Sequence, residues 1–165
     1  MAAKSRYELK EVVLRLAEGR SLYSESQIRT AEDAVALMMN ELADMDREYF
    51  CVVNMDTKGR PVNFNVVSIG SLTASIVDIP NVLKTCLLSN CKRFIAIHNH
   101  PSGDVTPSKE DLVVTRQIIA AARLLGMQCE DHVIVTDKSY LSIREQGYVS
   151  FTSEYRMVET MQMER

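Results

Sequence analysis

The sequence predicts an α/β domain in which a mixed sheet carries helices on both faces. Segments whose apolar residues recur with the period of a helix are interspersed with short apolar runs typical of strands, in the order α, α, β, β, α, β, α, β, β. The length of 165 residues, with 46% hydrophobic and 25% charged residues, is that of an ordinary globular domain able to bury one core.

The first 28 residues are predicted to form an N-terminal helix and a linker, ahead of a domain over residues 29–165. Apolar residues recur at helical spacing from residue 5 to residue 18, and Gly19 is placed to end that helix. The polar stretch that follows, up to residue 28, lacks periodicity, which is typical of a linker.

A second helix is predicted to begin after Thr30 and to end near Asp46. Thr30 and Asp33 have the spacing of a capping box, in its weaker aspartate form. The predicted buried stripe of this helix consists of apolar residues at helical spacing: Ala34, Leu37, Met38 and Leu42.

A β-hairpin is predicted next, with strands over residues 49–55 and 62–69 joined by a polar turn. Glu48 stands directly before the first strand. Taken on the residues alone, a carboxylate at that position indicates a solvated strand end.

Small and hydroxyl-bearing residues fill positions 71–75. They predict a tightly packed turn rather than a catalytic serine site, because no histidine stands near them in a nucleophile motif. Pro80 then fits the first turn of a helix that runs to about residue 90.

An isoleucine-rich strand that starts at residue 94 ends on His98 and His100. Alternate residues of an extended chain point to the same side, so both imidazoles can reach one point in space. A loop then leads into a helix whose first turn contains Asp111. Two imidazole nitrogens and one carboxylate would leave the fourth tetrahedral position of a zinc ion for water, which is the arrangement of a catalytic zinc site.

Plainer interpretations of these residues stay open at this point. Histidines are more often hydrogen-bonded core residues or surface residues than metal ligands. Ser108 with Asp111 could simply form a capping box at the start of a helix. However, all three histidines of the chain lie between residues 98 and 132, and this clustering favours the metal site.

A long amphipathic helix is predicted after Ser108 and is closed by Gly126. The positive end of its dipole lies at the loop that contains the candidate ligands, where it favours an anionic group. Two strands follow, over residues 128–136 and 140–143, and the first of them contains Asp131 and His132.

The composition indicates which partners and which cellular compartment to expect. A net charge of −3 without a basic tail or stripe counts against a nucleic-acid-binding role. The four cysteines stand in apolar segments without ligand spacing, which is typical of reduced core residues. No signal peptide or membrane-spanning run is recognisable, so we expect a cytoplasmic protein.

The string from His98 to Asp111, HNHPSGDVTPSKED, has the spacing of the JAMM signature of the JAB/MPN superfamily of zinc metallopeptidases. It resembles the RadC branch of that superfamily in particular. The similarity extends from about Glu48 to Phe151 and includes VSIGSLTAS from Val67 to Ser75, and Leu125-Gly126 leading to Asp131-His132.

This resemblance implies a cytidine-deaminase-like α/β/α fold and a Zn²⁺ ion held by His98, His100 and Asp111. It places a general-base glutamate just ahead of a strand upstream of the histidine pair, which is the position of Glu48, with Glu41 and Glu110 as alternatives. Ser108 would stabilise the oxyanion, in competition with its use as a helix cap, and His132 would lie close to the site rather than bind the metal.

The implied reaction is the hydrolysis of a peptide or isopeptide bond in a peptide or protein substrate of unknown identity. Two alternatives remain, a DNA-repair role of the RadC type and a non-catalytic interaction module. Longer RadC-like proteins carry a helix-hairpin-helix region before this domain, and we expect residues 1–28 to be too short to hold it. That expectation and the acidic balance weaken the DNA alternative.

Overall fold

The computed structural model describes residues 10, 11, 13, 16, 17, 19–24, 26–70 and 77–152. Within these residues three helices and five strands follow one another along the chain: α1 (Ala31–Leu42), β1 (Tyr49–Met55), β2 (Pro61–Ile69), α2 (Ile79–Leu88), β3 (Arg93–Asn99), α3 (Lys109–Leu124), β4 (Gln128–Val135) and β5 (Tyr140–Ser142). The predicted order of elements from the second helix onward is therefore confirmed.

The five strands form one mixed sheet in the order β2-β1-β3-β4-β5. Among the described strands only β3 and β4 pair in parallel, and α3 makes the crossover between them, as a parallel connection requires. The strand that carries His98 thus lies at the centre of the sheet, between β1 and β4, where both of its neighbours fix its position.

The two faces of the sheet carry separate apolar cores. Alternate residues of β1 divide between them: Phe50 and Val52 pack with α2 and α3, whereas Cys51 and Val53 pack with α1. The predicted α/β fold with helices on both faces is confirmed. All four cysteines are free and buried, and burial raises the pKa of the Cys51 thiol to about 12.

A β-bulge in β4 changes which face its side chains occupy. Phe94 of β3 pairs with Cys129, but the next residue, Ile95, pairs with Asp131, so Glu130 is the extra residue. Cys129 lies in the core under α3, while Val133, four residues later, lies in the core under α1. Strict alternation would have put both on one face.

The start of α1 agrees with the sequence prediction, and its end does not. The Thr30 side chain accepts a hydrogen bond from the Asp33 N–H, and the Asp33 carboxylate accepts one from the Thr30 N–H, which completes the capping box. The helix ends at Leu42 rather than near Asp46. Acidic residues at 44 and 46 oppose further turns, because they would face the negative end of the helix dipole.

Two predicted segments fall largely beyond the described part of the chain. The turn at residues 71–75 lies wholly outside it. Most of the helix predicted over residues 5–18 also lies outside it, and the residues of that stretch that are described are not helical: Lys10, Glu11, Val13, Leu16 and Ala17. None of the helices in the described residues has the length and apolar character needed to cross a membrane.

Candidate metal centre

The three predicted ligands converge at the end of β3. His98 is the penultimate residue of β3, His100 follows the strand, and Asp111 lies in the first turn of α3. The two Nε2 atoms of the histidines are 3.0 Å apart, and His98 Nε2 lies 3.4 Å from Asp111 Oδ1. One ligand atom from each residue lies within 4.8 Å of the others, so this group could hold a metal ion.

The strand pairing and a tight loop aim His100 at this point. Its backbone N–H donates to Val135 O at 2.9 Å, which extends the β3–β4 ladder by one residue. Its Nδ1 lies 2.6 Å from the carbonyl oxygen of Asp104. Because a carbonyl only accepts hydrogen bonds, Nδ1 carries the proton, and Nε2 is left to face the other ligands.

Asp111 divides its two carboxylate oxygens between two tasks. Oδ2 accepts hydrogen bonds from the Ser108 N–H at 2.8 Å and the Ser108 hydroxyl at 2.6 Å, while the Asp111 N–H donates to Ser108 Oγ. This is the second half of a complete capping box. Oδ1 is buried and has no hydrogen-bond partner among the described residues. A buried carboxylate oxygen without a donor fits a cation, which makes the residues present a suitable metal site.

The electrostatics of the cluster match this division. Burial and the neighbouring His132 lower the pKa of His98 well below its usual value, so His98 is neutral. Burial acts to raise the pKa of Asp111, but hydrogen bonds from His100 and Ser108 and the proximity of His98 outweigh it, and the net pKa is lowered. Two of the three ligands therefore stand in the protonation states that a divalent metal requires.

His100 behaves differently from His98 when no metal is bound. Burial acts to lower its pKa, but the hydrogen bonds with Asp111 and with the Asp104 carbonyl outweigh burial, and the net pKa is raised. A second proton on Nε2 and a metal ion would compete for the same lone pair.

Glu48 lies beside the cluster, immediately before β1. Phe50, two residues later, pairs with His98 across the antiparallel β1–β3 ladder, and the charge of Glu48 contributes to the raised pKa of His100. Asn99 fixes the backbone on both sides of Glu48: its Oδ1 accepts from the Tyr49 N–H at 2.7 Å, and its Nδ2 donates to the Arg47 carbonyl at 3.0 Å.

The two alternative glutamates lie in less suitable places. Glu41 belongs to α1, on the opposite face of the sheet from α3, and forms an ion pair with Arg20. Glu110 is exposed in the first turn of α3, next to Asp111.

Sequence reasoning missed two residues that support the cluster. The sequence predicts no role for Thr115, whose hydroxyl among the buried residues of α3 is a signal, or for Asn99. His132 was expected near the site. Its Nε2 lies 2.8 Å from His98 Nδ1, on the side of the His98 ring away from the other ligands.

The model of a family described as RadC-like JAB domain matches residues 28–148. The chain belongs to this family. The resemblance noted in the sequence is thereby confirmed, and the match covers every element from α1 to β5.

Curated relatives of this RadC-like JAB domain include three UPF0758 proteins. That of Chloroflexus aggregans is 42% identical over 137 residues, which cover 83% of this chain and 59% of the relative. That of Methanosarcina acetivorans is 41% identical over 123 residues, which cover 74% and 54%. UPF0758 protein YsxA of Bacillus subtilis is 38% identical over 122 residues, which cover 74% and 53%. The chain thus spans somewhat more than half the length of the relatives it matches.

Proposed function

We propose that the chain is a zinc-dependent hydrolase that cleaves a peptide or isopeptide bond in a peptide or protein substrate. The observation that supports this most directly is the convergence of His98, His100 and Asp111, with Asp111 Oδ1 buried and without a hydrogen-bond partner among the described residues. Two imidazoles and one carboxylate are a donor set of catalytic zinc, and three protein ligands leave one position for water.

Zinc bound at this point would supply a water molecule whose pKa is lowered to about 7. In this proposal, Glu48 accepts a proton from the attacking water and delivers it to the leaving nitrogen, the two tasks of a general base and acid. Its place beside His100, with its backbone held by Asn99, supports that role. Ser108 donates a hydrogen bond from its hydroxyl to the developing oxyanion and keeps its proton; to do so it must give up its hydrogen bond to Asp111 Oδ2.

The metal site is tested by two ligand variants and one control. We predict that the parent protein binds one zinc ion per chain and that His98→Ala and Asp111→Asn each abolish binding. Asp33→Asn is a matched control, because Asp33 holds the same position in the capping box of α1 but does not belong to the group of candidate metal ligands. Zinc content measured by mass spectrometry that stays stoichiometric in His98→Ala and Asp111→Asn would overturn the proposal.

The role of Glu48 separates an enzyme from a metal-binding module without activity. We predict that Glu48→Gln keeps zinc and thermal stability, while hydrolysis of a substrate found by peptide-library screening falls by a factor of about 10² to 10⁴, the usual contribution of a positioned acid–base group. Glu41→Gln and Glu110→Gln serve as controls and should retain activity. Loss of zinc from Glu48→Gln would make Glu48 a ligand, and unchanged hydrolysis would exclude it as the base.

A further inference from the structure

A chain of buried hydrogen bonds connects two of the candidate ligands behind the metal cluster. It begins at the backbone carbonyl of Asp111, which lies 2.6 Å from Thr115 Oγ1. Thr115 Oγ1 lies 2.6 Å from Nδ1 of His132, and Nε2 of His132 lies 2.8 Å from Nδ1 of His98. The side chains of Thr115, His132 and His98 are almost wholly inaccessible to solvent, and each contact between them is direct.

The hydrogen bond to the Asp111 carbonyl determines which atom is the donor in each of the other hydrogen bonds of the chain. A carbonyl oxygen has no proton, so the 2.6 Å contact between Asp111 O and Thr115 requires the hydroxyl to donate its single proton to the carbonyl. The remaining lone pairs of Thr115 Oγ1 can only accept. The contact with His132 Nδ1 therefore requires a proton on that nitrogen.

The same reasoning continues through both imidazoles. The His132 ring is buried, and its hydrogen-bond partners among the described residues, Thr115 Oγ1 and His98 Nδ1, include no carboxylate that would support a second proton, so Nε2 has a free lone pair. That lone pair accepts from Nδ1–H of His98. With its proton on Nδ1, the wholly buried His98 ring has an unprotonated Nε2, which faces His100 and Asp111.

We propose that His132 and Thr115 are positioning residues that hold His98 in the Nδ1–H tautomer, so that its Nε2 lone pair is directed at the metal site. The device spans three elements, because Thr115 belongs to α3, His132 to β4 and His98 to β3. It is also anchored on the main chain of a second ligand, Asp111. A shift of α3 relative to the sheet would therefore disturb Asp111 and the tautomer of His98 together.

Packing against one apolar side chain holds the ring planes of His98 and His132. Phe50 stacks on the His98 ring with centroids 5.9 Å apart and planes 15° apart. The same phenylalanine contacts His132 edge-on at 5.2 Å. Both imidazoles are thus held against one apolar side chain, and a ring turned over within its plane would lose the 2.8 Å hydrogen bond between His98 Nδ1 and His132 Nε2.

The purpose of this tautomer, to direct Nε2 at a metal ion, rests on the proposed metal centre. The tautomer itself does not require the metal, so it can be measured in metal-free protein. In protein labelled with ¹⁵N at histidine, long-range ¹H–¹⁵N correlation spectra distinguish a protonated ring nitrogen from one with a free lone pair. We expect His98 and His132 of the parent chain to show protonated Nδ1 and unprotonated Nε2. A proton on Nε2 of His98 would overturn the proposal without any variant.

Two substitutions at Thr115 test this relay, the chain of hydrogen bonds from Thr115 through His132 to His98. Thr115→Val keeps the shape but removes the hydroxyl, whereas Thr115→Ser retains the hydroxyl. We expect Thr115→Val to shift the populations of the His98 tautomers. It should also weaken Zn²⁺ binding about 10- to 100-fold, measured in competition with a chromophoric chelator, as for other supports of metal-bound histidines. The zinc affinity of Thr115→Ser should stay within a few-fold of that of the parent.

Thr136→Val is the matched control, because Thr136 is also a buried threonine whose hydroxyl is hydrogen-bonded, but to Ser139 and away from the cluster. It should change neither the His98 spectrum nor zinc affinity. If Thr115→Val has the same His98 tautomer populations and the same zinc affinity as the parent, the relay has no positioning role. If the predicted tautomer is present but the parent does not bind zinc, the relay stands and the metal proposal fails.

Discussion

At the scale of single residues, the site depends on side chains that perform two tasks. Asp111 caps α3 with one carboxylate oxygen and presents the other to the candidate metal, and Ser108 completes the cap from the opposite side. The proposed catalytic role of Ser108 therefore cannot be judged from its removal alone. The equivalent cap of α1, formed by Thr30 and Asp33, provides the comparison.

We predict that Ser108→Ala and Thr30→Ala each lower the free energy of unfolding by about 1 kcal/mol, because each removes one N-cap side chain. Only Ser108→Ala should also lower kcat, by a factor of about 10² to 10³, the contribution of one oxyanion donor. Urea denaturation and steady-state kinetics measure the two effects. Equal kcat in the two variants would restrict Ser108 to capping.

At the scale of secondary-structure elements, the ends of two adjacent antiparallel strands are joined by one side chain. Asn99, at the end of β3, binds the backbone on both sides of Glu48, at the entrance to β1. Asn99 also lies between two metal-ligand candidates in sequence. It therefore fixes the position of the proposed base relative to the proposed metal.

We predict that Asn99→Ala costs about 0.5 to 1.5 kcal/mol of stability for each of the two hydrogen bonds that it removes, and lowers hydrolysis while zinc remains bound. Asn63→Ala is a suitable control, since Asn63 also makes side-chain hydrogen bonds from a strand, but to Asn54 and Ser89. Zinc loss from Asn99→Ala as complete as from His98→Ala would instead place Asn99 among the supports of the ligands.

The elements from α1 onward and the candidate ligands could be predicted because their signals are local. A spacing of two residues in an extended chain, and a capping box before an apolar stripe, each determine geometry within a few residues. The support behind His98 is not local. His132 shares a face with His98 only because a bulge at Glu130 shifts the phase of β4, and its contact with Thr115 depends on how α3 lies on the sheet.

At the scale of the whole molecule, two buried neutral histidines make the metal-free fold sensitive to acid. Burial lowers the pKa of His98 and that of His132, the latter to about 4, whereas an unfolded histidine titrates near 6.5. Between these values the unfolded chain binds protons that the folded chain does not. The free energy of unfolding therefore falls as the pH falls through this window. The raised pKa of His100 acts in the opposite direction.

We predict that the metal-free protein loses roughly 3 kcal/mol through His132 alone between about pH 7 and about pH 4, as measured by urea denaturation with chelator present. The His132→Gln variant removes this titrating group, so its stability should depend less steeply on pH over the same range. A parent protein whose stability does not change across this window would contradict the buried neutral state of His132.

The double use of Asp111 also has a consequence for how this sequence can evolve. Position 33 needs only an N-terminal helix cap, which glutamate or glutamine supplies as well as aspartate does. Position 111 must satisfy helix and ligand geometry with one short side chain, and a longer carboxylate that still capped α3 would move its second oxygen away from His98. Positions 33 and 111 have the same place in their capping boxes but thus differ in the number of amino acids that they can accept. Substitutions tolerated at position 33 therefore do not indicate which substitutions position 111 tolerates.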